Sequence, residues 1–123
     1  MITLAQGETS CGVELKCLPE VARLAKENGV LVVVDAVCTL TTMPMQMDEW
    51  GIDIAIAGGQ KGLSSIPGVS LIAFSEEAWK TVKSRKARSL TGVWMPCAHR
   101  RSGDHSSTIT RLLCRGYWLC MKR

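Results

Sequence analysis

Residues 30–35 read Val30-Leu31-Val32-Val33-Val34-Asp35, and the fold turns on them. Five apolar residues in a row, four of them β-branched, leave no polar alternation for a solvent-facing side. Such a run is expected of a central parallel strand covered by helices on both faces. It ends in a carboxylate. A charge placed directly after a buried strand is costly unless a partner awaits it, and in open α/β sheets ligands gather at the carboxyl ends of strands. Asp35 is therefore a candidate site residue on its position alone.

On the amino side of this run, Leu18, Val21, Ala22 and Ala25 fall at helical spacing. Pro19 suits a first turn and Gly29 a C-terminal cap, so a helix is predicted over Pro19 to Asn28. Ile2-Thr3-Leu4-Ala5 reads as a short strand, and Gly7-Glu8-Thr9-Ser10-Cys11-Gly12 as a loop that sets small polar groups at the strand's end. On the carboxyl side, Ile52, Ile54 and Ile56 suggest a second strand. The following loop, Gly58-Gly59-Gln60-Lys61-Gly62, holds one isolated lysine among glycines that let the backbone approach a ligand closely. Pro67-Gly68 makes a turn before a strand over Val69 to Phe74. Ser75 then caps a helix with Glu76 and Glu77 in its first turn and Lys83 and Arg85 at its end. Strand, helix, strand, strand, helix is an α/β order.

The chain has 123 residues, the length of one domain, and its 46% hydrophobic content suffices for a core. No apolar run approaches the roughly 18 residues that span a bilayer, and the opening residues lack a secretory-signal pattern. A soluble chain with no membrane partner is expected, cytoplasmic by default, with an organelle left open. The cysteines (Cys11, Cys17, Cys38, Cys97, Cys114, Cys120) form no C-x-x-C pair and read as reduced thiols. Cys97, His99, His105, Cys114 and Cys120 match no familiar zinc spacing, so no metal is expected.

The net charge of +4 conceals two unlike parts. Residues 1–82 hold five bases against ten acids, a net −5, whereas residues 83–123 hold ten bases against Asp104, a net +9. A basic segment can attract polyanions, but this one contains no nucleic-acid-binding motif, and no specific nucleic acid is expected as a partner. Hydrophobic periodicity is lost beyond about Ala87, and Ile109 to Leu119 is open to either a short helix or a strand.

Three blocks in order resemble the class V aminotransferases, which are fold-type I pyridoxal 5'-phosphate (PLP) enzymes, and most closely those of the alanine–glyoxylate/serine–pyruvate type. They are Gly7-Glu8-Thr9-Ser10-Cys11-Gly12, then Val32 to Val37 with Met47 to Leu63, then Ile66 to Glu76. The resemblance implies an α/β fold in which residues 1–86 form part of the mostly parallel three-layer sheet of the PLP-binding large domain. The strand at 69–74 is open to an antiparallel place. Residues 87–123 are expected to be an irregular, divergent basic tail, disordered or out of frame.

The same resemblance implies that Lys61 binds PLP covalently and, once substrate displaces it, moves the α-proton. It further implies that Asp35 faces the pyridine nitrogen, whose protonation makes the ring a better electron sink. Gln60 would help hold the cofactor phosphate, and Thr9 would hydrogen-bond near the phenolic oxygen. Taken singly, a lysine in a Gly-rich loop reads as a solvated charge and an aspartate after a strand as a turn cap. The ordered blocks are what make them cofactor positions.

The activity implied is transfer of an amino group between a small amino acid such as alanine or serine and a 2-oxo acid such as glyoxylate or pyruvate, in a homodimer. The chain departs from the family's pattern at Gln6, where histidine is frequent, at Gly59, where serine precedes Gln-Lys, and at Thr39-Leu40-Thr41-Thr42, where Ser-Leu-Gly-Gly is usual. The family's phosphate loop, its stacking aromatic ring and its substrate-binding arginine are not recognised in the 123 residues. Arg88, Arg100, Arg101, Arg111 and Arg115 are not assigned that last role. Whether the chain by itself is an enzyme therefore stays open. The alternative is a non-catalytic remnant or interaction module with a basic tail. A nucleotide-binding domain is a third reading, but GETSCGVELK fits neither G-x-G-x-x-G nor G-x-x-x-x-G-K-[ST].

Overall fold

The computed structural model describes residues 1–85 and, beyond them, the backbone of residues 110–113 and 117–121. In chain order the elements are β1 (Ile2–Ala5), β2 (Gly7–Glu8), β3 (Val13–Glu14), α1 (Leu18–Glu27), β4 (Val32–Asp35), α2 (Met47–Trp50), β5 (Ile54–Gly58), β6 (Val69–Phe74), α3 (Glu76–Ser84), β7 (Thr110–Leu113) and β8 (Tyr117–Met121). The main sheet runs β1-β4-β5-β6-β8-β7, and β2 and β3 form a separate hairpin. β1, β4 and β5 are parallel, β6 turns antiparallel to β5, β8 is parallel to β6, and β7 is antiparallel to β8. The alternatives left open thus resolve to an antiparallel strand at 69–74 and to strands at 110–113 and 117–121. The Cys97, His99, His105, Cys114 and Cys120 cluster, and the expectations for Arg88, Arg100, Arg101, Arg111 and Arg115, lie outside the described residues and side chains. Among the described residues, no helix is long and apolar enough to cross a membrane.

Val32, Val33 and Val34 are all buried, as an unbroken apolar run in a central strand requires. Period-two alternation turns Val32 and Val34 to one face of the sheet and Val33 to the other. Val32 and Val34 pack with Leu18, Ala22 and Ile52 under α1. Burying a side chain such as Leu18 contributes about 2 kcal/mol. The opposite face carries Ile72, Phe74, Ala78 and Trp79, with Ile54 and Ile56 against them, under α3. Ile52 and Ile54 thus belong to different cores, and β5 begins only at Ile54.

Strand β4 begins two residues later than the apolar run. The reason is the end of α1, where Gly29 is left-handed (φ 65°), the Gly29 amide donates to Lys26 O at 3.0 Å and the Val30 amide to Ala25 O at 2.9 Å. This pair of bonds is a Schellman closure, and it engages Val30 before the sheet can.

The amino edge of the sheet is sealed by Asp53, which is 0% exposed. Its Oδ2 accepts from the Val32 amide at 3.0 Å. Its Oδ1 accepts from Ser75 Oγ at 2.8 Å and from Lys26 Nζ at 3.3 Å. Ser75 Oγ also accepts from the Ala78 amide at 3.1 Å, capping α3. Lys26 additionally pairs with Glu77. That hydrogen bond to Glu77 chiefly raises the Lys26 amine above its ordinary pKa of 10.5, with Asp53 adding to it and burial opposing it. One buried carboxylate therefore joins α1, β4, β5 and α3, and a buried charge is tolerated because every bond it needs is made.

Candidate functional site

At the carboxyl edge, β1, β4 and β5 end side by side. Ala5 pairs with Asp35 and Asp35 with Ile56, so all three residues share one face of the sheet. The Gln6 amide donates to Asp35 O at 3.0 Å and the Ala36 amide to Ile56 O at 2.8 Å, which fixes where the strands stop. Asp35 is exposed although the three valines before it are buried. Its Oδ1 accepts from the Val37 amide at 2.9 Å. Asp35 is thus a turn cap through one oxygen, and among the described residues Oδ2 takes no protein donor.

Beyond β5 the chain folds into a tight turn. The Gly59 amide donates to Val69 O at 2.7 Å, Lys61 to Gly58 O at 3.3 Å, Ser64 to Lys61 O at 3.0 Å and Ser65 to Gly59 O at 2.8 Å. Gly58 and Gly59 are buried while Gln60 and Lys61 are exposed. A Cβ on Gly59 would stand 3.0 Å from Val69 O, so glycine permits the approach of β6. A Cβ on Gly58 would stand 3.2 Å from both Gln60 Oε1 and Val37 Cγ1. Gln60 and Val37 therefore flank the same glycine. Lys61 follows Gln60 directly, and among the described residues its amine forms no ion pair. Thr9 is exposed in the turn of the β2–β3 hairpin, where the Ser10 amide donates to Glu8 Oε1 at 2.9 Å. That bond holds the Glu8 carboxyl below its ordinary pKa of 4.5. Asp35 and the Gln60-Lys61 turn thus lie at the same edge of the sheet, after the ends of the paired strands β4 and β5. Thr9 shares the edge without a hydrogen bond to the other three.

Two residues that position this edge escaped the sequence reading as site residues. Gln6 is buried; its Nε2 donates to Pro44 O at 2.8 Å, and its Oε1 accepts from Thr39 Oγ1 at 2.7 Å. It thereby ties β1 to the 36–44 segment. Thr41 is left-handed (φ 75°), and its hydroxyl donates to Gly62 O at 2.7 Å. Left-handed backbone costs a non-glycine residue roughly 1–2 kcal/mol, and a hydrogen bond returns about 0.5–1.5 kcal/mol. Only the departures at Gln6 and at Thr39 to Thr42 signalled either residue in the sequence.

The sequence pattern of the aminotransferase class-V family matches residues 1–92. The chain belongs to this family. Alanine–glyoxylate aminotransferase of Felis catus is 40% identical over 91 residues, covering 74% of this chain and 22% of that protein. The Callithrix jacchus protein of the same name is 40% identical over 121 residues, covering 91% of this chain and 29% of that protein. Among solved structures, ureidoglycine–glyoxylate aminotransferase from Bacillus subtilis superposes with a TM-score of 0.69 at 30% identity, over 79% of this chain and 24% of that one. Alanine–glyoxylate aminotransferase from Nostoc sp. gives 0.66 at 36% identity, over 70% and 22%. The fold is accordingly part of the fold-type I sheet, and the chain spans between a fifth and a third of the length of these relatives.

Class-V aminotransferases depend on PLP and act on amino and 2-oxo acids. The carboxyl edge fits that cofactor in its donor set: an amine with no ion pair among the described residues for an aldehyde, a carboxylate with one oxygen free of donors among them for a protonated ring nitrogen, and an amide and a hydroxyl for polar substituents. A separate groove of about 760 Å³ under the α1 side of β5 and β6, lined by Leu40, Met45, Met47, Ala55 and Leu71 among others, includes none of the four candidate residues. It is not the candidate site.

Proposed function

We propose that residues 1–85 form the lysine-and-carboxylate part of a PLP site whose reaction moves an amino group between a small amino acid, such as alanine or serine, and a 2-oxo acid, such as glyoxylate or pyruvate. The observation that carries this reading is the parallel register of β4 with β5, which sets Asp35 and the Gln60-Lys61 turn at one edge of the sheet. Lys61 would hold the cofactor through Nζ, Asp35 would face its ring nitrogen, Gln60 its phosphate and Thr9 its phenolic oxygen. PLP supplies an electron sink for the carbon from which the proton is removed.

In the chain's own residues, the step falls to the Lys61 amine, which takes a proton when neutral and returns it when charged. Asp35 sits on a turn that already holds Oδ1, so Oδ2 is presented without reorganisation. The glycines of the turn let backbone come close. Alanine and glyoxylate as substrates are supported by the names of the relatives, and a homodimer by what is general in the family.

The test is covalent capture. PLP added to the chain, followed by borohydride, should leave a phosphopyridoxyl group on the Lys61 peptide by mass spectrometry, and Lys61→Ala should lose it completely while keeping its urea midpoint. Capture spread evenly over all lysines would defeat the assignment.

A further inference from the structure

The turn that carries Lys61 is held from outside by residues 39–42. A Cβ on Gly62 would lie 2.2 Å from Leu40 O, 2.7 Å from Thr41 Oγ1 and 3.2 Å from Thr42 Cγ2, so the two segments touch backbone to backbone. The 39–42 segment is itself closed by local bonds. The Leu40 amide donates to Ala36 O at 3.0 Å and the Met43 amide to Thr39 O at 2.9 Å. Thr42 Oγ1 donates to Cys38 O at 3.2 Å and to Thr39 O at 3.0 Å. Thr39 is anchored in turn by Gln6. Between this closed unit and the lysine turn, the side-chain hydrogen bond is that of Thr41 to Gly62 O.

Thr41 is an unexpected residue for that task. A β-branched side chain at φ 75° is strained, and a glycine would adopt the same backbone freely. Keeping threonine there makes sense if the hydroxyl does something a glycine cannot. What it does is grip the carbonyl of Gly62, the residue that follows Lys61.

We infer that Thr41 is a positioning residue for Lys61: its hydroxyl clasps the Gly62 carbonyl and fixes the Gly62–Leu63 peptide, the unit one residue beyond the lysine. This rests on Lys61 being the PLP lysine. Without the clasp, the Gly62–Leu63 peptide can rotate, and the turn that carries Lys61 loosens on its outer side. With it, the turn is fastened at both sides, by β6 through Gly59 and by the 39–42 segment through Gly62.

The experiment compares Thr41→Ser, which keeps the hydroxyl, Thr41→Val, which keeps the branched shape without it, and Thr41→Gly, which removes both hydroxyl and strain. Two readouts need no PLP. Hydrogen exchange at the Ser64 and Ser65 amides, both bonded within the lysine turn, reports its opening. Reductive methylation of Lys61 by formaldehyde, followed against pH, reports the amine's setting. Thr41→Val and Thr41→Gly should exchange about three- to tenfold faster, as loss of one hydrogen bond allows, and should shift the methylation profile of Lys61. Thr41→Ser should behave as the parent. Parent-like exchange and methylation in Thr41→Gly would overturn the proposal, as would failure of Thr41→Ser to restore them. PLP capture is measured alongside in the parent. Its absence there, with the exchange differences intact, would remove Lys61 as the cofactor lysine and leave the clasp standing as a property of the turn.

Discussion

The two edges of the sheet each carry an aspartate, and the pair behave in opposite ways. At the amino edge, Asp53 is wholly buried and bonded to Val32, Ser75 and Lys26. At the carboxyl edge, Asp35 is exposed and bonded to the Val37 amide alone among the described residues. Both flank the same pair of parallel strands, β4 and β5. What separates them is how many donors the protein itself supplies. A carboxylate whose oxygens are all engaged can hold elements together and has nothing left for a ligand. One with an open oxygen at a strand's carboxyl end is available to bind.

Deleting each carboxylate in turn is the severest challenge to this contrast. Asp53→Ala leaves the Val32 amide, the Ser75 hydroxyl and Lys26 without their acceptor, and should cost about 3–5 kcal/mol in urea unfolding. Asp35→Ala should cost less than about 1 kcal/mol, yet lower PLP capture at Lys61 by about tenfold, as loss of one hydrogen bond to a charged group does. Equal losses of stability would erase the distinction between the edges.

Smaller changes sharpen it. Ser75→Ala removes both the cap on α3 and a donor to Asp53, with an expected loss of about 1–2 kcal/mol that Ser75→Thr should largely restore. Lys26→Met should cost about 1 kcal/mol at neutral pH, since the Lys26 side chain is 43% exposed and solvent screens its pairs. Pairing raises the folded pKa of Lys26 above 10.5, so its contribution is complete below pH 10.5 and fades as pH rises through the higher folded value. The stability gap between parent and Lys26→Met should close over that alkaline range, and a constant gap would take the pairing out of the account.

The least effect belongs to Glu8 at the carboxyl edge. Its folded pKa is lowered, so its bond to Ser10 is present above pH 4.5 and is lost as pH falls through the lower value. The Ser10 amide resonance should titrate below 4.5, and Glu8→Gln should leave the urea midpoint unchanged.

Much of this arrangement was legible in the residues. The valine run announced a buried strand because no face of it could be left to water, and its terminal Asp35 announced an edge. Ser75 was readable as a cap because a hydroxyl before two glutamates is what a helix start requires, and Gly29 as a stop because it can turn left-handed. Asp53 was not legible. Between Ile52 and Ile54 it takes the polar place in an alternating strand, which predicts exposure, and only the backbone of β4 opposite it explains why it is buried.

The order of elements, the buried strand and the lysine loop between glycines follow from the chain by itself, because they depend on local periodicity and on what single residues allow. Folding in three dimensions decided the rest. Which aspartate would be sealed and which left open depends on donors contributed from 20 and more residues away, Val32 and Ser75 for Asp53. The grip of Thr41 on Gly62 joins segments 21 residues apart. Hydrogen bonds are short-ranged and directional, so their partners are chosen only once the sheet has set the strands in register.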